Sequence, residues 1–545
     1  MDQIIILIKS LKLSIISLFT RKEKVITKIR KLWDGKIHKK RNFDLISLYY
    51  RLKITSKKRI TIDKTTWSDL NMDEIFLIID RAASAIGSQY LYYMLHTYEN
   101  DDSILKNRNR LYNIFLNNQE LREKILSILY KLHRPKASYI VNLLFNRIPN
   151  RPRLYLLIYL SSLCTILSTY LIFYHGIFLF VAMFLAIINL AISYFYGRKI
   201  MGYSLDMSNL GTMLKVTRKL ADIEMPNDIP QIKILRKYRL FAITLNKKMS
   251  WLIIDKLKLD DITEALVFFL DHICLFNIVS FIRSINDINK NKAQLIEIYE
   301  AIASLDAMIS IASYLKGLDC FCIPNFNNQN NLSANNIYHP LLQKPVNNNF
   351  NLSNKSCLIT GSNMAGKTTF IKTIGVNIIF AQTLSICLAK SVNIERLIVK
   401  SSIKREDNLN ENKSYYFKEI ESILDFIKFS KTEANYIFLI DEIFRGTNTI
   451  ERLSASTSVL RFLGSRNITL VTTHDIELQD LLNGYFDMFH FSEQIDSNNN
   501  HYFDYKIKLG PSSSRNAIKL LELTGYPDTI IQNAYKLADR LFSRS

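Results

Sequence analysis

Six cysteines in 545 residues are too few and too scattered for a disulfide framework. They stand at 164, 274, 320, 322, 357 and 387, and the one close pair, Cys320-Phe-Cys322, has no second pair to complete a zinc site. Acidic residues are also scarce. The 49 Asp and Glu against 71 Lys and Arg leave a formal charge of +22. The imbalance is steepest in the first sixty residues, which hold 17 basic and 4 acidic side chains. Part of it follows from a chain rich in Lys, Asn and Ile. The rest points to an acidic partner, either nucleic acid or an anionic membrane face. The opening "MDQIIILIKSLKLSIISLF" has no clear cleavage site and is interrupted by Lys9 and Lys12. It reads as an amphipathic helix at a membrane surface rather than a signal peptide.

The longest absence is of charge. Residues 154–197 contain no Asp, Glu, Lys or Arg. About twenty apolar residues cross a bilayer, so this run allows two crossings. Tyr174-His175-Gly176 is the natural break, which predicts a hairpin over 154–196 with helices at about 154–174 and 177–196. Arg151 and Arg153 precede it, and Arg198 and Lys199 follow it. Positive flanks stay inside, so the expectation is the cytoplasmic membrane, with both soluble regions cytoplasmic. A buried hairpin in a large helical domain is the competing reading. A second apolar stretch, 265–282, carries Asp271 and His272 at its centre. Charge is costly in lipid, so this one reads as a packed helix.

Helical periodicity dominates 45–150 and 200–324, and an Asn-rich segment at 325–354 marks a boundary. Beyond it, strands and helices alternate. "SCLIT" enters Gly361-Ser362-Asn363-Met364-Ala365-Gly366-Lys367-Thr368-Thr369, which fits G-x-x-x-x-G-K-[ST] between a strand and a helix. Backbone N–H groups of such a loop wrap phosphates, Lys367 reaches the β- and γ-phosphates, and Thr368 offers a hydroxyl to Mg²⁺. A second apolar strand ends in Asp441-Glu442, a magnesium-holding carboxylate followed by one placed to activate water. A third ends in Thr472-Thr473-His474, with His474 positioned to sense the γ-phosphate. The order is that of ABC-class ATPases. A transporter is disfavoured because no LSGGQ-like segment precedes Asp441 and two crossings are too few for a transport path.

These residues resemble the MutS family of DNA mismatch-repair ATPases. The loop is similar to the family's GPNMGGKST, "IDEIFRGTNTIERLSA" (440–455) to its DEIGRGTST segment, and "TTHDIEL" to its ATH-x-x-EL. "IYHPLL" (337–342) and, more loosely, "LDCFCIP" (318–324) resemble the family's entry to the ATPase. The stretch 62–97 resembles part of its helical core, and 516–541 its C-terminal helix-turn-helix. The resemblance implies an α/β P-loop ATPase domain C-terminal to a mainly α-helical core or lever region that carries the membrane hairpin. It further implies bound ATP and Mg²⁺, a homodimer, and Ser414 reaching the partner's nucleotide. Ser362 and Ala365 replace a family Pro and Gly. The family's adenine-stacking aromatic aligns near Val346, with Phe350 as a substitute or adenine recognition weakened. No Phe-x-Glu precedes the core, so mismatch reading is not expected.

The division expected along the chain is a basic segment (1–44), helical core (45–150), hairpin (151–199), second helical part (200–324) and ATPase domain (325–545). The expected function is a membrane-tethered dimeric ATPase that engages DNA without mismatch specificity. The alternative is an ATP-switched scaffold that binds protein or anionic lipid and no DNA.

Overall fold

The charge-free stretch folds into two helices, Tyr155–Leu171 and Ile177–Ala221, turning at residues 172–176. This computed structural model describes residues 23–35, 41–55, 59–146, 152–249, 261–327, 332–352, 356–403, 415–445, 447–495, 501–512 and 525–542. The second helix does not end at Arg198. It runs for 45 residues in all, about 68 Å, so the boundary expected at 199/200 falls inside one rod. No proline interrupts it, and beyond the apolar half it carries its own buried stripe of Leu210, Met213, Leu214, Thr217 and Leu220. Among the described residues one helix is by itself long and apolar enough to cross a membrane, Ile177–Arg198, with mean hydropathy 2.4 and 11% burial. Tyr155–Leu171 has 17 residues and reaches about 26 Å, short of a hydrocarbon layer of roughly 30 Å. Helix length thus supports one crossing where two were expected.

Two compact units form. The first gathers residues 1–59, 79–94 and 110–317, and the second 60–78, 95–109 and 318–545. The first is helical. Its centre is the Lys292–Lys316 helix, whose residues 301–315 are buried throughout. Asp306, fully buried, accepts hydrogen bonds from the backbone N–H of Ala83 (2.8 Å) and Ser84 (2.7 Å). It thereby fixes the chain entering the Ala85–His96 helix, whose first turn is capped by Ser84, its Oγ accepting from Gly87 N (3.0 Å). The apolar stretch at 265–282 is two helices rather than one. Asp261–His272 and Phe276–Lys290 meet at a 57° bend, with Leu275 in the left-handed region at φ 59°.

The second unit is built on a six-stranded sheet. Its strands are β1 Ser356–Thr360, β2 Ile398–Ser402, β3 Tyr436–Asp441, β4 Ile468–Thr473, β5 Asp487–Ile495 and β6 His501–Leu509. The spatial order is β6-β5-β1-β4-β3-β2, parallel except for the β5–β6 hairpin. β1, β3 and β4 are buried on both faces, as continuous Val, Ile and Leu runs require. A small second sheet pairs Asn325–Phe326, Ser391–Ile394, Ser333–Ile337 and Asn348–Asn351.

The sheet's β2 edge explains why 60–78 and 95–109 belong to this unit, a feature that the linear division leaves out. The Lys64–Asp69 helix covers that edge. Ser401 N donates to Thr66 Oγ1 (3.2 Å), and Asp69 accepts from Ser401 Oγ (2.7 Å) and Ile403 N (2.9 Å). Tyr98 OH accepts from Val399 N (3.1 Å), and Glu99 N donates to Gln382 O (3.1 Å). Edge strands left bare pair with other chains, so this cover also protects the fold. Asp69 is 2% exposed. Asp69→Ala is therefore expected to destabilise the protein by about 1–3 kcal/mol, because Ile403 N is left buried without a partner. Urea unfolding followed by a signal from this unit checks it, with Asp69→Asn as the milder change.

Candidate functional site

Three neighbouring parallel strands end at one edge. The register pairs Thr360 of β1 with Thr473 of β4, and Thr472 of β4 with Asp441 of β3. The loops leaving these strands therefore converge, the place where open α/β sheets bind ligands.

The loop after β1 needs its glycines. Gly361 sits at φ 135°, and a Cβ there would lie 2.6 Å from Phe491 O. Asn363–Ala365 make a turn of 3₁₀ helix, Gly366 at φ 100° redirects the chain, and the Lys367–Leu384 helix begins. That helix N-terminus faces the loop's concavity and favours anions. Ser362 Oγ is buried there without a hydrogen bond. Met364 is two-thirds exposed, while Ala365 is buried. Thr369 is exposed on the first helical turn.

Lys367 is almost fully buried, and its ammonium folds back on Gly361 O. Burial pushes its pKa down to about 8. Asp441 opposes the shift and Arg445 adds to it. Thr368 Oγ1 donates to Asp441 Oδ2 (2.9 Å), and Thr472 Oγ1 donates to Asp441 Oδ1. A hydroxyl and a carboxylate at this distance are the donor pair a magnesium ion takes at such a loop.

Glu442 is 3% exposed and held at φ 58° by a hydrogen bond from its own N–H to Thr472 O (2.9 Å). Phe444 follows at φ 59°, its N–H donating to Glu419 Oε1. Two non-glycine residues in the left-handed region cost free energy, and such strain gathers at functional sites. The Glu442 carboxylate pairs with Arg445 and lies 3.1 Å from His474 Nδ1. His474 is half-exposed. Burial, with Arg445, Arg452 and Lys367, outweighs Asp475 and lowers its pKa, so the imidazole is neutral at pH 7. Arg452 grips Asp475 with two bonds of 2.9 and 2.8 Å, tying the chain after β4 to the Thr449–Gly464 helix.

Gly361–Thr369, Asp441, Glu442 and His474 thus come together. Ser414 lies outside the described residues, as does the first part of 516–541; the Asp528–Phe542 helix is present. Phe350 does not reach the site. It is 2% exposed and packs on Phe370 and Phe489 at ring distances of 5.3 and 5.2 Å, so its role is in the core. A residue that motif reading missed stands there instead. Tyr505, 47% exposed, has Cδ1 3.3 Å from where a Gly366 Cβ would be. Tyr505 itself sits at φ 53° in an irregularity of β6. Asn348 clamps that irregularity, donating to Tyr505 O (3.0 Å) and accepting from Ile507 N (2.9 Å). No local signal marks Tyr505, since an aromatic in a strand is ordinarily a core residue.

The lysine supplies a pH test. A phosphate against Lys367 favours the ammonium, whereas burial alone favours the amine. Nucleotide binding at pH 8.5–9 is therefore expected to take up close to one proton. Affinity should fall as pH rises above about 8. Calorimetry in buffers of different ionisation enthalpy reads the uptake, and Lys367→Ala should abolish both uptake and binding.

Residues 357–542 match the family model for MutS domain V. The chain is similar to the DNA mismatch repair protein MutS of Leptospira interrogans serovar copenhageni, with 27% identity over 282 residues, 48% of this chain and 32% of that protein. It is also similar to the proteins of the same name from Clostridium perfringens (27% over 299 residues; 52% and 32%) and Clostridium botulinum strain Okra (27% over 267 residues; 44% and 28%). The chain spans about a third of the length of the curated relatives it matches.

Proposed function

We propose, from the premise that this chain belongs to the MutS family, that it is a membrane-tethered ATPase working as a homodimer and engaging DNA without mismatch specificity. The observation that carries the reading is the convergence of Lys367, Thr368, Asp441, Glu442 and His474 at the ends of three adjacent strands. The residues fit MgATP. Gly361–Thr369 hold the phosphates, with Lys367 turning from Gly361 O to the β/γ oxygens. Thr368 and Asp441 hold the metal, which when bound neutralises phosphate charge. Glu442 orients and deprotonates the attacking water, and His474, neutral, faces the γ-phosphate. Tyr505 offers its exposed ring to the base. Ser414 of a second copy completes each site, which makes the dimer part of the catalytic cycle. The exposed apolar surface of Ile177–Arg198, with Tyr155–Leu171 beside it, anchors the protein in the cytoplasmic membrane.

DNA engagement rests on the basic balance and on kinship. Contacts from Lys and Arg to phosphates need no base reading. The expected result for detergent-solubilised protein is duplex binding of equal strength for matched and mismatched sequences. The logarithm of affinity should fall linearly with the logarithm of salt, by about 0.9 per phosphate contacted. Absence of duplex binding at 50 mM salt, together with retention on anionic vesicles, would instead establish the scaffold reading.

A further inference from the structure

The bent helix of the first unit meets the apolar hairpin through polar groups, with Ser162, Asn189 and Ser193 of the hairpin reaching across. Ser162 Oγ donates to Cys274 O (2.6 Å), and Asn189 Nδ2 donates to Ile273 O (2.7 Å). These carbonyls belong to the break between the half-helices Leu266–His272 and Phe276–Lys290. Asn189, fully buried, also donates to Thr165 Oγ1 (2.8 Å) and accepts from Ser161 Oγ (2.5 Å). Ser193 Oγ and His272 Nδ1 are 2.8 Å apart. Asp271, 4% exposed, accepts from Asn277 Nδ2 (2.8 Å). The carboxylate that makes this stretch look unfit for lipid is therefore enclosed and hydrogen-bonded.

Depth follows from helix rise. Ser162 lies seven residues past Tyr155, about 10 Å along its helix, and Asn189 nine residues before Arg198, about 14 Å along its own. Arg198 stacks on Tyr194 at 4.7 Å, the pairing expected at a headgroup boundary. At the other end of the bent element, Arg283 lies over Tyr159 at 5.8 Å, near the start of the first apolar helix. If the hairpin stands in a hydrocarbon layer about 30 Å thick, the break sits well inside it. Irregular backbone is tolerated at such depth only when protein groups satisfy its carbonyls, which Ser162 and Asn189 do. The element's outer residues suit lipid too. Leu266 and Phe268 are 55% and 59% exposed. An apolar crevice of about 290 Å³ opens between Ile166, Tyr170 and Phe173 of the hairpin and Phe269, Leu270 and Phe276 of the bent helix.

We infer that the bent helix around residues 266–282 is a further membrane-embedded element docked on the hairpin, whose outer face and crevice are covered by lipid acyl chains. The inference rests on the membrane reading given above, so its test separates the two. Single tryptophans are introduced in the full-length protein as Phe184→Trp on the hairpin, Phe268→Trp on the bent helix and Tyr485→Trp on the ATPase unit. Each is reconstituted in vesicles whose acyl chains carry bromine at mid-chain, and quenching beyond that of the wild-type tryptophans is read. Expected is at least a twofold greater added quenching at 184 and 268 than at 485. Quenching at 184 but not at 268 would overturn the inference and leave the anchored hairpin standing. No quenching at 184 would remove the membrane reading itself. Asn189→Leu supplies a second readout. It leaves Ile273 O without its donor, so quenching at 268 should shift to a different bromine depth while that at 184 stays. Unchanged depth at 268 would mean that the break is not held by the hairpin.

Discussion

Glu442→Gln is expected to lower ATP turnover by roughly 10²–10⁴-fold, the usual contribution of a positioned general base, while nucleotide affinity changes little. The carboxylate lies just beyond β3, buried, with its backbone strained into the left-handed region and tied to Thr472 O. Its carboxylate faces Arg445 and His474, while Thr368 and Asp441 bond each other. The glutamine keeps the shape but can neither accept a proton nor pair as a charge with Arg445. Binding should survive, and closed dimers should accumulate because the step that opens them is blocked. Arg445 pairs with Glu442 and must let go for the carboxylate to reach a water. Arg445→Ala should therefore leave turnover near that of the wild type or above it. Single-turnover hydrolysis beside equilibrium binding of a fluorescent nucleotide separates the steps. A Glu442→Gln protein that hydrolyses at the wild-type rate would assign water activation to another group. Loss of binding in that variant would mean that the carboxylate supports the loop rather than the chemistry.

The parts of the site legible in the sequence are those where one short segment carries both the chemistry and its geometry. A strand, a glycine loop and a helix start need only local chain to place Lys367 and Thr368. Asp441-Glu442 and Thr473-His474 were legible because each ends an apolar strand of the buried parallel kind. What was not legible depends on distant pairing. Phe350 and Tyr505 are both aromatic residues in strands. Only the packing of Phe350 on Phe370 and Phe489, and the irregularity that turns Tyr505 toward Gly366, tells the buried ring from the exposed one. The cover over the β2 edge comes from segments some three hundred residues earlier in the chain. Its hydrogen bonds, such as Ser401 N to Thr66 Oγ1, leave no periodic trace. The polar residues of the apolar run behave likewise. Asn189 reads as a tolerated interruption until Ile273 O is found against it.

The hairpin should decide where the protein is found. Phe180, Phe184, Ile187 and Phe195 are 72%, 65%, 66% and 69% exposed. Moving those four side chains from water to hydrocarbon is worth roughly 4–8 kcal/mol, and many neighbours on both helices add to it. Large exposed apolar patches are rare on monomeric soluble proteins and mark interaction or membrane surfaces. The first helix alone is short for a crossing, but Ile172, Phe173 and Tyr174 prolong its apolar surface by about one turn, or roughly 5 Å, before Gly176 reverses the chain. The wild-type protein is therefore expected in the membrane pellet after carbonate at pH 11 and after 1 M salt. Salt would release a protein held only by its basic charge, because screening at that strength shrinks the reach of a surface charge to about 3 Å. Replacing residues 154–196 with a short Gly-Ser linker should move the protein to the supernatant. That variant removes Asn189 and Ser162, so the break at Ile273–Leu275 loses its donors; adding Asp271→Asn and His272→Gln keeps the bent helix from exposing ionisable groups. Intact protein in the carbonate supernatant would end the tether. Pelleting of the hairpin-less chain would show that another segment, the bent helix or the basic segment 1–44, holds the membrane.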